Sequence, residues 1–230
     1  MPRVSVLLPV RDAIATLGAC LDSLAAQTLA DHEVIAVDDG SRDGSGELLL
    51  ARARKDPRLR VRRTSPLGLV PALSRSLAEA RAPLVARMDA DDVALAERLS
   101  LQVERLERDR SVDVLGCRVA LFASPGEAPG EGMRAYVEWQ NALLDHEAIF
   151  RDRFVESPLA HPSVAMRAEA LRRLGGWRAF DGPEDYDLWL RALEAGLRFA
   201  KLEETLLMWR DGTGRLTRKD PRYAPGRFLA

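Results

Sequence analysis

Leu84-Val85-Ala86-Arg87-Met88-Asp89-Ala90-Asp91-Asp92 is a short, largely apolar run that breaks off in three carboxylates. A run of this kind reads as an interior strand of a parallel sheet, buried on both faces. The acidic cluster then lies at the carboxyl end of the strand, the edge where open α/β sheets bind ligands. Three neighbouring carboxylates repel one another unless positive charge sits among them. Hard cations such as Mg²⁺ or Mn²⁺ take oxygen ligands and often share them with substrate phosphates. The competing reading makes Asp91 or Asp92 only the cap of the following helix. Spacing alone leaves both open.

Working outward, residues 4–8 and 33–37 are two more buried strands, and the second ends in Asp38-Asp39-Gly40-Ser41. Between them Ile14, Leu17, Cys20, Leu21 and Leu24 recur at helical spacing. Helices follow over 44–55 and 68–80, a third strand over 59–63, and the acidic strand over 84–88. Leu95, Leu99, Val103 and Leu106 mark the next helix, and 112–122 a further strand. Strand and helix thus alternate repeatedly, which predicts an α/β fold with an open, mostly parallel, doubly wound sheet. The chain is too short for a closed barrel of eight such units.

The pattern changes after Ala123. Residues 124–132 are a Gly- and Pro-rich loop, followed by helices over 134–144 and 145–154. The stripe Tyr136, Trp139, Leu143 reads as core. His161-Pro162-Ser163-Val164-Ala165-Met166 reads as a strand, 184–195 as a helix stopped by Gly196, and 199–209 as one or two strands. Residues 211–230 form a basic tail with little periodicity. The expectation is a single domain over 1–230, with one half at 1–123, another at 124–210, and the flexible tail at 211–230.

Composition narrows the function classes. With 230 residues, 47% of them hydrophobic, and a formal charge of −1, nothing points to nucleic acid or an anionic membrane as the main partner. Cys20 and Cys117 lie in apolar surroundings and read as core residues in a reducing compartment. His32 and His146 read as surface residues. No charged leader precedes the first strand, so a signal peptide is not expected. No apolar run approaches the roughly 20 residues that span a bilayer. The expected location is the cytoplasm, with peripheral contact at the inner face of the plasma membrane compatible with it. Neither G-x-G-x-x-G nor G-x-x-x-x-G-K-[ST] occurs, which argues against a dinucleotide oxidoreductase and a P-loop NTPase.

Four motifs occur in order: Leu8-Pro9-Val10, Val37-Asp38-Asp39-Gly40-Ser41, Met88-Asp89-Ala90-Asp91-Asp92, and Pro183-Glu184-Asp185-Tyr186-Asp187-Leu188-Trp189-Leu190-Arg191. Together they resemble the family-2 glycosyltransferases, over about residues 3–220. The resemblance implies a GT-A-like sheet with a nucleotide-sugar-binding first half and an irregular, helical acceptor side. It also implies that Pro9, Val10 and Arg11 shape the pocket for the nucleotide base, that Asp39 accepts a hydrogen bond from the base, and that Asp89 faces the ribose. Asp91 would hold Mn²⁺ or Mg²⁺ on the diphosphate, with Asp92 orienting that shell or capping the next helix. Asp185 matches the family's general base, with Glu184 as the weaker candidate beside it. His161 would face the acceptor or the diphosphate. The segment 209–218 resembles a closing lid that brings Arg210, Arg215, Thr217 and Arg218 to the leaving group. Where family members often carry asparagines, this chain has Ser65-Pro66-Leu67-Gly68 and Ser74, a departure near the donor pocket. Relatives also often continue with another helix past the equivalent of Ala230.

The chemistry is consistent with these roles. Moving a sugar from a nucleotide diphosphate, UDP-sugar being the first guess, requires the leaving phosphate charge to be neutralised. The acceptor hydroxyl must lose its proton to a positioned carboxylate, and the reactants must be held in line. One carboxylate base suits a single displacement that inverts the anomeric centre. The acceptor would be a glycan, a lipid-linked sugar or a small molecule, and bacterial surface-polysaccharide assembly is the setting the resemblance implies. Two alternatives compete. A sugar-phosphate nucleotidyltransferase would carry a Gly-rich basic loop where this chain has Pro9-Val10-Arg11-Asp12-Ala13. A non-catalytic nucleotide-sugar-binding module would dispense with Asp185.

Overall fold

The computed structural model describes residues 1–124, 126–179 and 182–212. Its strands are β1 (Val4–Val10), β2 (His32–Asp38), β3 (Leu59–Arg63), β4 (Leu84–Arg87), β5 (Val93–Ala94), β6 (Val114–Phe122), β7 (Ala165–Arg167) and β8 (Phe199–Arg210). They form one sheet in the order β3-β2-β1-β4-β7-β6-β8-β5. The first four are mutually parallel. β7 runs antiparallel between β4 and β6, β8 is parallel to β6, and β5 lies antiparallel on β8.

The first half winds both ways from β1. The chain passes through α1 (Ile14–Ala25) to β2 and through α2 (Ser45–Ala53) to β3, moving outward. After α3 (Leu69–Glu79) it returns to pair β4 on the other side of β1. The order therefore reverses between β1 and β4, where a doubly wound sheet opens a crevice beyond its carboxyl ends. Successive side chains of a strand point to opposite faces, and the core follows that alternation. Val4, Val6, Leu8, Val34, Ala36, Leu84 and Ala86 join one cluster with Leu17, Leu49, Leu99 and Val103. Leu7, Ile35 and Val85 join the other, with Leu73, Leu77, Leu171 and Leu188. Helices α1, α2 and α4 (Arg98–Arg108) thus cover one face, while α3, α7 (Ala168–Arg173) and α8 (Glu184–Glu194) cover the other. Both faces are buried, which is why the strands read as continuous apolar runs.

Pro9 lies inside β1, not at its end. Leu7 accepts from the Met88 N–H and so faces β4, as Pro9 does two residues later, but β4 has ended at Arg87. The missing proline N–H falls where no ladder remains.

Several element boundaries and environments differ from expectation. α4 begins at Arg98, so neither Asp91 nor Asp92 caps it; Val93 and Ala94 instead pair with Met208 and Leu207. His161–Ser163 is a 3₁₀ turn with Pro162 inside it, and only Ala165–Arg167 forms the strand β7. β8 is one strand whose register against β6 shifts around Arg118. Ile14 is exposed although its helical neighbours are buried, and His32 is buried, its Nδ1 2.6 Å from the Leu29 carbonyl. Cys20 and Cys117 are buried free thiols. The two helices after the loop are α5 (Glu131–Ala142) and α6 (His146–Asp152). Among the described residues, no helix is long and apolar enough to cross a membrane.

Candidate active site

The carboxyl ends of β1, β2 and β4 build one wall of the crevice. Val10 is level with Asp38, and the Asp39 N–H donates to the Val10 carbonyl at 2.8 Å. The two acids after β2 then diverge. Asp38 is fully buried, with Oδ1 accepting from the Ser41 N–H (2.9 Å) and Oδ2 from Arg63 Nε (3.0 Å), so it braces the turn. Asp39 aims at the next loop. Its Oδ1 accepts from the Leu67 N–H at 2.7 Å, and its Oδ2 from the Gly68 N–H at 2.9 Å and from Arg11 Nη1 at 3.2 Å. The Thr64 hydroxyl lies a further 3.5 Å from Oδ1, so the roughly four acceptor positions of the carboxylate all face a donor and its orientation is fixed. Gly68 adopts φ +101°, a conformation that L side chains rarely adopt. Arg11 is half-exposed beside Asp39.

The acids after β4 gather tightly. One carboxylate oxygen from each of Asp89, Asp91 and Asp92 lies within 4.8 Å of the others. Helix α1 supports this turn from beneath, with the Cys20 thiol donating to the Asp89 carbonyl (3.3 Å) and the Thr16 hydroxyl to the Ala90 carbonyl (3.1 Å). Positive charge is also built in. Arg87, buried at the end of β4, donates to Asp89 Oδ1 at 2.6 Å and to the Met88 carbonyl. The fully buried Arg98 donates Nη2 to the Arg87 carbonyl at 2.7 Å. Burial pushes the Arg98 guanidinium below its ordinary range, while the nearby Asp92 charge acts in the opposite direction. From the far end of the chain the Arg210 N–H donates to Asp92 Oδ1 and Arg210 Nε to the Asp91 carbonyl, both at 2.8 Å. Arg210 also stacks on Phe122. The three oxygens are a hard donor set of the kind Mg²⁺ and Mn²⁺ prefer, so the residues present fit a divalent cation.

A second group of candidate residues lies on α8 and the His161 turn. Gln102 Nε2 donates to the Ser163 carbonyl at 2.8 Å and to the Leu115 carbonyl at 3.2 Å, tying that turn to α4 and β6. His161 lines a small cavity together with Arg87, the same arginine that pairs with Asp89. On its other side His161 Nδ1 is 3.5 Å from Glu184 Oε1. Asp185 follows, half-buried in the first turn of α8. Burial pushes its carboxyl up to about 6 and the Glu184 charge adds to the rise; a charged His161 would oppose it. A carboxyl raised in this way is a candidate proton-transfer group.

Chain order therefore hides a short physical path from Asp185 through His161 and Arg87 to Asp89. Pro9, Val10, Arg11 and Asp39 lie on the β1–β2 side of the same sheet edge. Arg215, Thr217 and Arg218 lie outside the described residues. Sequence reasoning missed Arg87, Arg98, Gln102 and Trp177, which carry no motif. A charged residue inside an apolar run was the available signal for Arg87, whereas Arg98 and Gln102 lie in a helix rich in charged residues and share its apolar face with Leu99, Val103 and Leu106.

A larger groove of about 530 Å³ lies elsewhere, between β6 and α5, lined by Arg118, Leu121, Arg134 and Asn141. It shares no residue with the acidic crevice.

Residues 5–175 match the sequence profile described as Glycosyl transferase family 2. A UDP-Gal:alpha-D-GlcNAc-diphosphoundecaprenol beta-1,3-galactosyltransferase of Escherichia coli is 27% identical over 210 residues, covering 90% of this chain and 73% of that protein. Among solved structures, S. aureus TarS 1-349 in complex with UDP-GlcNAc superposes with a TM-score of 0.69 at 18% identity, covering 95% of this chain. The mannosyltransferase PcManGT from Pyrobaculum calidifontis, in complex with GDP-Man and Mn²⁺, gives 0.70 at 21% identity and covers 94%. This chain spans 61% and 58% of those two solved chains. At such identities they establish the fold, which is GT-A.

Proposed function

The chain belongs to glycosyl transferase family 2, and on that premise we propose that it moves a sugar from a nucleotide-diphosphate donor to an acceptor hydroxyl with inversion. The observation that supports the reading is a pair of acidic sites linked through Arg87 and His161. At one, Asp89, Asp91 and Asp92 converge within 4.8 Å. At the other, Asp185 is held near a pKa of about 6.

The roles are those the family resemblance implies. Pro9, Val10 and Arg11 wall the base pocket, and Asp39 accepts from the base in place of one of its weaker contacts, Arg11 or Thr64. Asp89 faces the ribose, while Asp91, with Asp92 behind it, holds Mn²⁺ or Mg²⁺. Bound there, the cation neutralises charge on the leaving diphosphate. Asp185 takes the acceptor proton as the hydroxyl attacks, a contribution of about 10²–10⁴ in rate. Glu184 stays beside it as the charge that keeps it basic. Arg210 is already fixed by the Asp91 and Asp92 turn, so it braces the metal site and adds positive potential there. Residues 1–123 carry the donor side and 124–210 the acceptor side.

UDP-sugar is the first donor to test, because the E. coli relative and the TarS complex both carry UDP donors in their names. The relative's acceptor is diphosphoundecaprenol-linked, which favours a lipid-linked saccharide acceptor and peripheral membrane contact. Calorimetric titration of UDP and GDP, each with and without Mn²⁺, tests the donor half. The expected result is cation-dependent binding of one nucleotide, abolished by Asp91→Ala. Undiminished affinity in that variant removes Asp91 from the metal site.

A further inference from the structure

Trp177 packs beside His161 at the rear of the crevice, and both side chains are buried. The indole Nε1–H points at His161 Nε2, 2.9 Å away, with the rings 5.6 Å apart. An indole N–H can only donate. His161 Nε2 must therefore offer a lone pair, and the single proton of the neutral ring must sit on Nδ1. That atom faces Glu184 Oε1 at 3.5 Å. An imidazolium would set one N–H against another at the Trp177 contact. Arg87 lines the same cavity, with Leu7, Val85, Val164 and Met166 as apolar neighbours. The Trp189 ring meets His161 edge-on. Glu184 and Asp185 on α8 are the acidic groups whose charge His161 feels.

We infer that Trp177 is a positioning residue for the base: its indole N–H fixes His161 as the neutral, Nδ1-protonated ring, and that ring holds Glu184 in place beside Asp185. The inference deepens the proposed function, because it rests on Asp185 being the base. A neutral His161 leaves the Glu184 charge acting on Asp185 in full. A cationic His161 would offset it and make Asp185 a weaker base.

¹⁵N-histidine spectra of the full chain test the tautomer without reference to activity. The three histidines are distinguished by loss of one signal in His161→Asn. The wild-type ring should show a pyrrole-like Nδ1 and a pyridine-like Nε2 at neutral pH. An Nε2–H tautomer or an imidazolium there overturns the inference. Trp177→Phe keeps a ring but removes the donor; it should mix the tautomers and lower kcat about tenfold, with KM for donor unchanged. His161→Asn, whose amide N–H can stand in for Nδ1–H, should recover most of what His161→Leu loses. Adding Trp177→Phe to His161→Asn should then cost little further. Additive losses, or equal changes in kcat and KM, would mean that Trp177 only packs. Should Trp177→Phe fail to fold, the wild-type spectrum still decides. Retained turnover in Asp185→Asn would instead remove the base assignment and leave the tautomer assignment standing, so the two failures are distinguishable.

Discussion

Asp39→Asn isolates what holds the donor wall together. In the wild type the Asp39 carboxylate receives the Leu67 N–H at 2.7 Å and the Gly68 N–H at 2.9 Å, one on each oxygen. Asparagine supplies one oxygen and one NH₂ group. Whichever way it turns, one of the two backbone donors then faces another donor. The lost charge-assisted bond is worth about 1.5–3 kcal/mol, and the stranded N–H adds a further penalty. The side chain is 3% exposed, so water restores little of this, and a loss of about 3 kcal/mol is expected. In a chain of this size that lowers Tm by about 6–12 °C. Because Gly68 leads into α3, the 64–68 loop should loosen, and nucleotide-diphosphate affinity should fall with it. Urea denaturation with an unchanged m-value gives the stability, and amide exchange at Leu67 and Gly68 gives the local effect. A change below about 0.5 kcal/mol, with both amides still protected, would refute the reasoning.

Two further outcomes follow from the packing and the titration. Gly116 in β6 has no room for a side chain, since an added Cβ would lie 2.7 Å from Cδ2 of the fully buried Leu159; Gly116→Ala should cost about 1–3 kcal/mol, and an unchanged melting temperature would contradict the close approach. Asp185 is raised to about 6, so turnover should rise with pH through that value as the carboxylate forms, and an acid limb at the ordinary aspartate value would contradict the tuning. The stability effect has the opposite sign: the folded chain holds this proton more tightly than the unfolded one, so Asp185's contribution is greatest below the ordinary carboxyl pKa and is lost as pH rises through about 6.

The parallel core was legible because burial on both faces leaves a simple mark. β1, β2 and β4 are buried along their whole length, and each appears in the sequence as a short apolar run. β5 and β7, two and three residues long, leave no periodicity. They exist through ladders to β8, β4 and β6, contacts distant in sequence. The same cause moved the start of α4: Val93 and Ala94 are drawn into pairing with β8, and the helix begins only at Arg98. His161 was misplaced in a strand because Val164-Ala165-Met166 looks extended, whereas the segment before it closes a 3₁₀ turn. His32 was read as exposed from its polarity, but the Leu29 carbonyl satisfies its ring in the interior.

In the site, the carboxylates were legible as clusters at strand ends, and their supports were not. Arg87 acts from within an apolar strand, where composition predicts an aliphatic residue, and Arg98 is one of several arginines of α4 that nothing in the sequence sets apart. Trp177 is one aromatic residue among several, and only the direction of its N–H gives it a task. Asp38 and Asp39 look equivalent in sequence. Backbone direction separates them, turning the first into a brace against Arg63 and the second towards Leu67 and Gly68.

The central claim, that Asp185 removes the acceptor proton while Asp91 and its neighbours hold the donor, is tested most directly by measuring turnover and donor affinity together in Asp185→Asn. The account predicts transfer reduced at least about a hundredfold, with Mn²⁺-dependent nucleotide binding unchanged. Turnover at the wild-type rate with binding intact would contradict it.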